Sequence, residues 1–482
     1  MKRNTKKRFL CALSLLICVL LGGCIWLLLD DRCMVSTAYV TNDSSQIINP
    51  LAEQITISSA ASNVVATPTD TTIPLPEQKG EATSKTDASP SVTQSVTLMA
   101  VGDNLMHNAL VRGGLQEDGT YNYDKFYEGI ALPLSYADIK VINQETILGG
   151  DYLPLQGYPR FNSPTGLGDS LLRSGFNVVL HASNHAADMG QEGLYNCVSY
   201  WRNHPEALMV GINDGMPIST NLTISEDKVP IATSGIGSAL PTGTKSEDSI
   251  PILTVKGYRF AILNYTYSPN MEIIPKNIQG HLNILCDWDK NTGAISFTKL
   301  NPQVLEDIRA AKEVADAVIV FPHWGIEYQT KPSVYQKEWA QAMADAGADL
   351  IIGTHPHVCQ PIEWLTAEDG SSCLCYYSLG NYVSTQRDPI SMLEGLAWVT
   401  FTETEHGLEI LPDTTGVFPI INQYRYNPLR FDYVYFLEDY TPEIASKHGI
   451  PQWGNGKMDI DQLHKWVSEI FGDMALLKKD VF

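Results

Sequence analysis

The chain has 482 residues, 44% of them hydrophobic, with nine cysteines and a net charge of −21 at pH 7. That length suits one large domain with accessory segments rather than a single small domain. So acidic a chain disfavours nucleic acid and anionic lipid as partners, and a polyanionic substrate would need a metal or a local basic patch to offset the field.

Lys2, Arg3, Lys6, Lys7 and Arg8 precede an uncharged apolar run over residues 9–29. About 20 such residues span a bilayer, so this run is expected to be a transmembrane anchor. Residues 1–8 would then be a cytoplasmic basic tail, and the body would lie outside a single-pass cell-membrane protein. A cleaved signal peptide competes, because Leu21-Gly22-Gly23-Cys24 looks like a lipoprotein cleavage box. The apolar run continues past Cys24 to Leu29, which favours the uncleaved anchor. Residues 30–94 are rich in Ser, Thr, Ala and Pro and read as a disordered linker.

The body is expected over residues 95–440. An apolar strand at residues 96–101 ends in Gly102-Asp103-Asn104. A second, at 139–142, ends in Asn143-Gln144-Glu145, and a third, at 177–180, leads to Asn184-His185 and Asp188. Helical stretches over 168–173 and 191–202 flank the third strand. Residues 204–300 read less clearly: 260–264 is a strand, and the rest suits an insertion or an antiparallel second sheet. Asn301-Pro302 opens a helix with Pro at its first position. A strand at 317–321 then ends in Pro322-His323-Trp324-Gly325-Ile326-Glu327. Ser333 and Gln336 form a capping-box pattern for the next helix.

The strand at 350–353 runs into Thr354-His355-Pro356-His357. Pro356 is expected to keep the preceding residues extended. Residues two apart then share a face, with Cα atoms roughly 7 Å apart. The strand at 374–377 ends in Ser378-Leu379-Gly380-Asn381, and residues 441–482 form a C-terminal helical tail with an amphipathic segment over 459–471. Cys197, Cys286, Cys359, Cys373 and Cys375 form no Cys-x-x-Cys pair, which argues against a thiolate zinc site. Cys373 and Cys375 alternate in a strand and are expected to face the core.

Five strands thus end in Asp103, Glu145, Asn184-His185, His323 and His355/His357. The C-terminal edge of such sheets is where ligands bind. Oxygen and imidazole ligands without thiolates suit one or two divalent transition metals, Mn, Zn or Fe, in a hydrolytic site. Six other histidines, at 181, 204, 281, 406, 448 and 464, read as surface or core residues. Trp324 reads as packing beside the site. Asp188 either caps the following helix or orients His185, and Glu327 either binds an imidazole of the site or is a solvated loop carboxylate.

Gly102-Asp103, Asn143-Gln144-Glu145, Ser183-Asn184-His185-x-x-Asp188-x-Gly190, His323-Trp324-Gly325-x-Glu327, Gly353-x-His355-x-His357 and Ser378-Leu379-Gly380-Asn381 together resemble the CapA family. These are poly-γ-glutamate capsule synthesis proteins with a calcineurin-like metallophosphoesterase fold. The resemblance covers roughly residues 96–390. It implies a layered α/β fold, two central sheets flanked by helices, behind the transmembrane helix. It also implies that Asp103 and His357 hold one metal and that Asn184, His323 and His355 hold another. Glu145 would bridge, and His185 would be the general acid, with Asp188 beside it in the catalytic pair. Two positions depart from the wider pattern: Leu105 stands where a ligand histidine is expected, with His107 two residues on, and Glu145 replaces an aspartate. These departures leave open a single metal or a pair with one weaker position.

The functional expectation is a membrane-anchored extracellular protein of capsule or envelope polymer biosynthesis with a metal-dependent hydrolase-like site. Its expected partners are poly-γ-glutamate or another envelope polymer, and the polymer's synthase subunits. A generic extracellular phosphoesterase and a non-catalytic scaffold are the alternatives.

Overall fold

The first expected strand is Ser95–Asn104, buried along nearly its whole length. Its even residues Val96, Leu98 and Ala100 face one hydrophobic core. Its odd residues Met99 and Val101 face another. A strand apolar on both faces must be covered on both, and this period-two split decides the architecture.

In the computed structural model, which describes residues 94–216, 218–219, 221–232, 236–237 and 250–482, two large sheets lie face to face. The first has nine strands. At its centre Ser95–Asn104 pairs in parallel with Ile139–Asn143, which pairs in parallel with Val178–Leu180. On its other side it pairs antiparallel with Leu393–Thr404. The second sheet has eight strands. At its centre Tyr258–Thr266, Ala317–His323, Leu350–Ile352 and Ser372–Tyr376 run parallel. The two inner faces share a core in which Leu98, Val141 and Leu180 of the first sheet join Phe260, Ile319 and Ile352 of the second.

Helices cover the outer faces. Gly166–Ser174 and Gly190–Arg202 bury Leu167, Leu171, Leu194 and Trp201 against the first sheet. Pro302–Lys312 and Val334–Asp345 bury Val304, Ile308, Trp339 and Met343 against the second. The start signals read from sequence act as expected. Asn301 accepts from the Gln303 N–H ahead of Pro302, and Ser333 and Gln336 form the reciprocal capping box. The expected mixed α/β arrangement of two sheets flanked by helices is therefore what the chain adopts.

The described residues of 204–300 form two small antiparallel sheets, Ile218–Ser219 with Ile236–Gly237 and Cys286–Trp288 with Ile295–Leu300, and also contribute strands to both large sheets. Leu208–Val210 extends the first sheet in parallel. Asn221–Ile224, Pro230–Ala232 and Ile252–Val255 form one edge of the second. In the tail, Ile460–Ile470 packs Leu463, Val467 and Ile470 into the core between the sheets. The five described cysteines are buried free thiols, and Cys373 and Cys375 face the core as expected.

One expectation is corrected. The anchor at residues 9–29, its basic tail and the linker up to residue 93 lie outside the described residues. Among the described residues no helix is long and apolar enough to cross a membrane. The longest, Gly190–Arg202, has 13 residues, and a span needs about 20. The transmembrane helix and the single-pass, extracellular placement built on it are not carried forward.

Candidate metal centre

The C-terminal ends of the parallel strands in both sheets point to one place. The first sheet delivers Asp103, Asn143, Glu145 and Asn184; the second delivers His323, His355 and His357. Close backbone approach brings the ends together, and it requires glycine. A Cβ at Gly102 would lie 2.0 Å from the Gly380 carbonyl oxygen, and one at Gly353 would lie 2.1 Å from that of Tyr377. With no side chain there, the Asp103 N–H donates to Gly380 O at 3.0 Å.

The Asp103 carboxylate is fully buried and fixed from both sheets. Asn143 Nδ2 donates to its Oδ1 at 2.7 Å, and the His355 N–H donates to its Oδ2 at 3.1 Å. His357 Nδ1 lies 3.2 Å from the same Oδ2 and 3.0 Å from Asn381 Oδ1. His323 Nε2 lies 2.8 Å from Asn184 Oδ1, and its Nδ1 lies 2.9 Å from Thr354 Oγ1. Glu145 stands between the two imidazoles, its Oε1 3.9 Å from His323 Nε2 and 3.8 Å from His357 Nε2.

The two histidines of the His-Pro-His segment do not meet as expected. That segment was expected to be extended, with the rings sharing a face by alternation. Instead His355 has φ 94° and His357 has φ 57°. Left-handed backbone at a residue other than glycine costs about 1–3 kcal/mol and persists where its surroundings over-determine it. Here the Asp103 bond to the His355 N–H and the Tyr328 N–H bond to Pro356 O at 2.7 Å hold the turn. The rings still come together, with centroids 5.8 Å apart.

Three sets of ligand atoms gather within 4.8 Å of one another: Glu145, His323 and His355; Asp103, Glu145 and His357; and Glu327, His355 and His357. Glu145 belongs to two of them. Asn184 stands beside the first through its contact with His323. The exposed Glu327 carboxylate has an oxygen within 4.8 Å of ring nitrogens of His355 and His357. The left-handed Tyr328 (φ 64°) beside it is a turn that no sequence pattern announces. Asn270, from the unclear stretch, accepts from Asn184 Nδ2 at 3.0 Å and was also missed.

Leu105 is a core residue, 3% exposed. His107 does not replace the missing ligand. Its Nδ1 accepts the Thr385 N–H at 3.2 Å, its ring packs edge-on against Phe161, and it belongs to none of the three sets. His185 and Asp188 form a separate pair next to the cluster. His185 Nδ1 lies 2.7 Å from Asp188 Oδ2, which also accepts the Phe161 N–H at 2.7 Å. Arg160 donates to the Asp188 carbonyl. Trp324 packs beside the site as expected, its Nε1 donating to Tyr377 O at 3.0 Å.

The electrostatics of the cluster suit a cation. Burial, reinforced by the Asp103 charge, pushes the Glu145 carboxyl well above its ordinary range, while His357 pulls the other way. Burial and the neighbouring imidazoles hold His323 and His355 well below theirs, so both are neutral, the form a metal takes. Burial also opposes a charge on His357, but Glu145 and Asp103 outweigh it and lift that ring to about 9. Both Glu145 oxygens and His355 Nδ1 are buried with no hydrogen-bond partner among the described residues. Buried polar atoms are almost always paired. Orphaned acceptors converging on one point, among neutral imidazoles and a second carboxylate, fit one or two divalent metals.

The family profile described as "Bacterial capsule synthesis protein PGA_cap" matches residues 97–214 and 219–386, more than half of the chain. "PGA biosynthesis protein CapA" of Bacillus subtilis (strain 168) is 31% identical over 212 residues, 44% of this chain and 43% of that protein. "Capsule biosynthesis protein CapA" of Bacillus anthracis is 36% identical over 151 residues, 28% of this chain and 36% of that protein. The chain thus spans about two fifths of the length of these curated relatives. A solved structure of a hypothetical protein from Thermus thermophilus covers 67% of this chain at 14% identity with a TM-score of 0.34, too slight a likeness to bear on the fold.

Proposed function

This chain belongs to the PGA_cap family of bacterial capsule synthesis proteins, the CapA family, whose fold is that of the metallophosphoesterases, and we propose that it is a metal-dependent hydrolase or transferase of capsule polymer assembly. The observation that carries this reading is the Glu145 carboxylate, buried, without a hydrogen-bond partner among the described residues and common to two sets of ligand atoms.

Asp103 and His357 would hold one ion, His323, His355 and Asn184 would hold another, and Glu145 would be common to both. Donors of oxygen and imidazole without thiolate would suit Mn, Zn or Fe there. A divalent ion bound there supplies Lewis acidity and lowers the pKa of bound water. The remaining chemistry belongs to the chain. Asp188 accepts from His185 Nδ1, which fixes the ring and leaves Nε2 as the atom that gives a proton to a leaving group or takes one back. The Phe161 N–H and Arg160 hold Asp188 in place, so the pair keeps its orientation as substrate enters. The bond acted on is a γ-glutamyl amide of poly-γ-glutamate or a phosphoester of another envelope polymer, and the polymer's synthase subunits are the proposed partners.

The test is turnover of a synthetic γ-glutamyl oligomer and of a chromogenic phosphodiester, each with Mn or Zn added. Turnover of either that is lost in His185→Ala with its metal content intact supports the reading. Metal-loaded protein that turns over neither overturns the enzymatic reading and leaves the scaffold, which the missing ligand at Leu105 favours.

A further inference from the structure

Beside the ligand cluster lies a cavity of about 550 Å³, within the usual size of ligand pockets. His107, Arg112, Tyr158, Tyr328 and Arg387 are among the residues that line it. It adjoins the site directly, because the Tyr328 ring lies 6.0 Å from that of His357. Gln386, which also lines the cavity, donates from Nε2 to the Tyr328 hydroxyl at 3.3 Å.

Two guanidinium groups serve this cavity. Arg112 lies on the short helix Asn108–Gly113, and Arg387 on the loop after the strand Asn381–Val383. Neither makes an ion pair among the described residues. Arg387 lies over the Trp453 ring, its Cζ 4.3 Å from the centroid. Stacking of that kind holds the plane of the group while leaving its N–H edge free for an anion. One carboxylate, Asp388, also lines the cavity, and it accepts from Asn455 Nδ2 at 3.1 Å. Tyr158, 74% exposed, and Tyr328, 50% exposed, offer apolar faces beside the arginines.

A chain with net charge −21 disfavours a polyanion unless a metal or a local group of unpaired cations offsets the field. Arginine forks bind planar carboxylates with two parallel hydrogen bonds, and exposed rings pack against methylene groups. We propose that this cavity is the binding site for the substrate chain next to the reacting bond, and that it takes a polymer bearing a carboxylate on each unit. Arg112 and Arg387 each engage a carboxylate, and Tyr158 and Tyr328 pack against the aliphatic stretch between them. This rests on the reading of the adjoining cluster as the reacting centre of a polymer-processing protein.

The test is fluorescence anisotropy with a labelled γ-glutamyl oligomer and, separately, a labelled glycerophosphate oligomer. The proteins are the wild type, Arg112→Gln, Arg387→Gln and the double variant, with metal content and circular dichroism measured on each. The γ-glutamyl oligomer should bind the wild type, weaken with added salt, and lose on the order of tenfold or more in affinity in each variant. Metal content and fold should be unchanged, because both arginines are exposed and lie outside the ligand sets. Equal binding of the γ-glutamyl oligomer in wild type and double variant overturns the proposal while leaving the metal-centre reading intact. Tighter binding of the glycerophosphate oligomer overturns the carboxylate class, and binding of neither overturns the site. Loss of metal in the wild type itself would instead count against the reading of the cluster.

Discussion

The Asp103 carboxylate of the first sheet accepts the backbone N–H of His355 on the second, at 3.1 Å. That hydrogen bond is one of those joining the two sheets within the ligand cluster, and with the Tyr328 N–H bond to Pro356 O it holds His355 in its left-handed turn. Asp103→Ala removes the acceptor and leaves a buried N–H unpaired, which should lower the stability of metal-free protein by about 1–3 kcal/mol. Asp103→Asn keeps an oxygen acceptor and should retain most of that stability while binding less metal. Urea unfolding of both variants, stripped of metal, makes the comparison.

The two proposed positions should differ in strength. His323 is fully buried between Asn184 and Thr354, and its set keeps every ligand the fold's pattern requires. The Asp103–His357 position lacks a first-motif imidazole, because Leu105 faces the core instead. His323→Ala should therefore remove more metal than His357→Ala, with both proteins folded. Metal per chain and circular dichroism on the two variants give the answer, and equal loss would mean the positions are mis-assigned.

Much of this arrangement could be read from the chain because its strands are apolar and short and stop abruptly at polar residues. Residues 96–101, 139–142 and 317–321 announce themselves that way, and Asp103, Glu145 and His323 follow at once. That two separate sheets bring these ends together came from the family resemblance, since nothing in a strand's own pattern tells which sheet it joins. The stretch 204–300 stayed unclear because its strands are brief or only half-buried, as in Asn221–Ile224, with alternate residues partly open. The turn at His355 was misread because Pro356 restrains its predecessor towards extended backbone, while tertiary hydrogen bonds from Asp103 override that restraint.

The His185–Asp188 pair should act on protons and not on metal. Asp188→Asn disturbs the hydrogen bond that orients His185 Nδ1. Turnover should fall by on the order of a hundredfold, with metal content unchanged and the pH profile of kcat altered. A loss of metal in this variant would place Asp188 in the ligand scaffold instead.

His448 should make stability sensitive to acid, apart from the metal centre. It is buried, its Nδ1 accepts the Ile450 N–H at 2.9 Å and its Nε2 donates to Asn422 O at 3.1 Å. That arrangement uses the neutral ring, and burial presses its pKa down to about 4 from an ordinary 6.5, the Asn422 bond opposing only in part. The unfolded chain then binds the proton first. Stability is full above about pH 6.5 and falls as pH drops towards 4, by an amount on the order of 3 kcal/mol. Denaturant midpoints of metal-free protein between pH 7 and 4, with His448→Gln giving a shallower slope, test the assignment.

The most direct test is metal per chain, by elemental analysis, in the wild type and in Glu145→Gln after identical loading with Mn or Zn and removal of free ion. Among the described residues Glu145 is the carboxylate that belongs to two of the three ligand sets, and an amide there removes the shared charge with little change of shape. The wild type should retain one or two ions per chain, and Glu145→Gln should lose most of them while remaining folded. A wild type that retains no ion under these conditions, or a Glu145→Gln variant that retains as much as the wild type, would contradict the account.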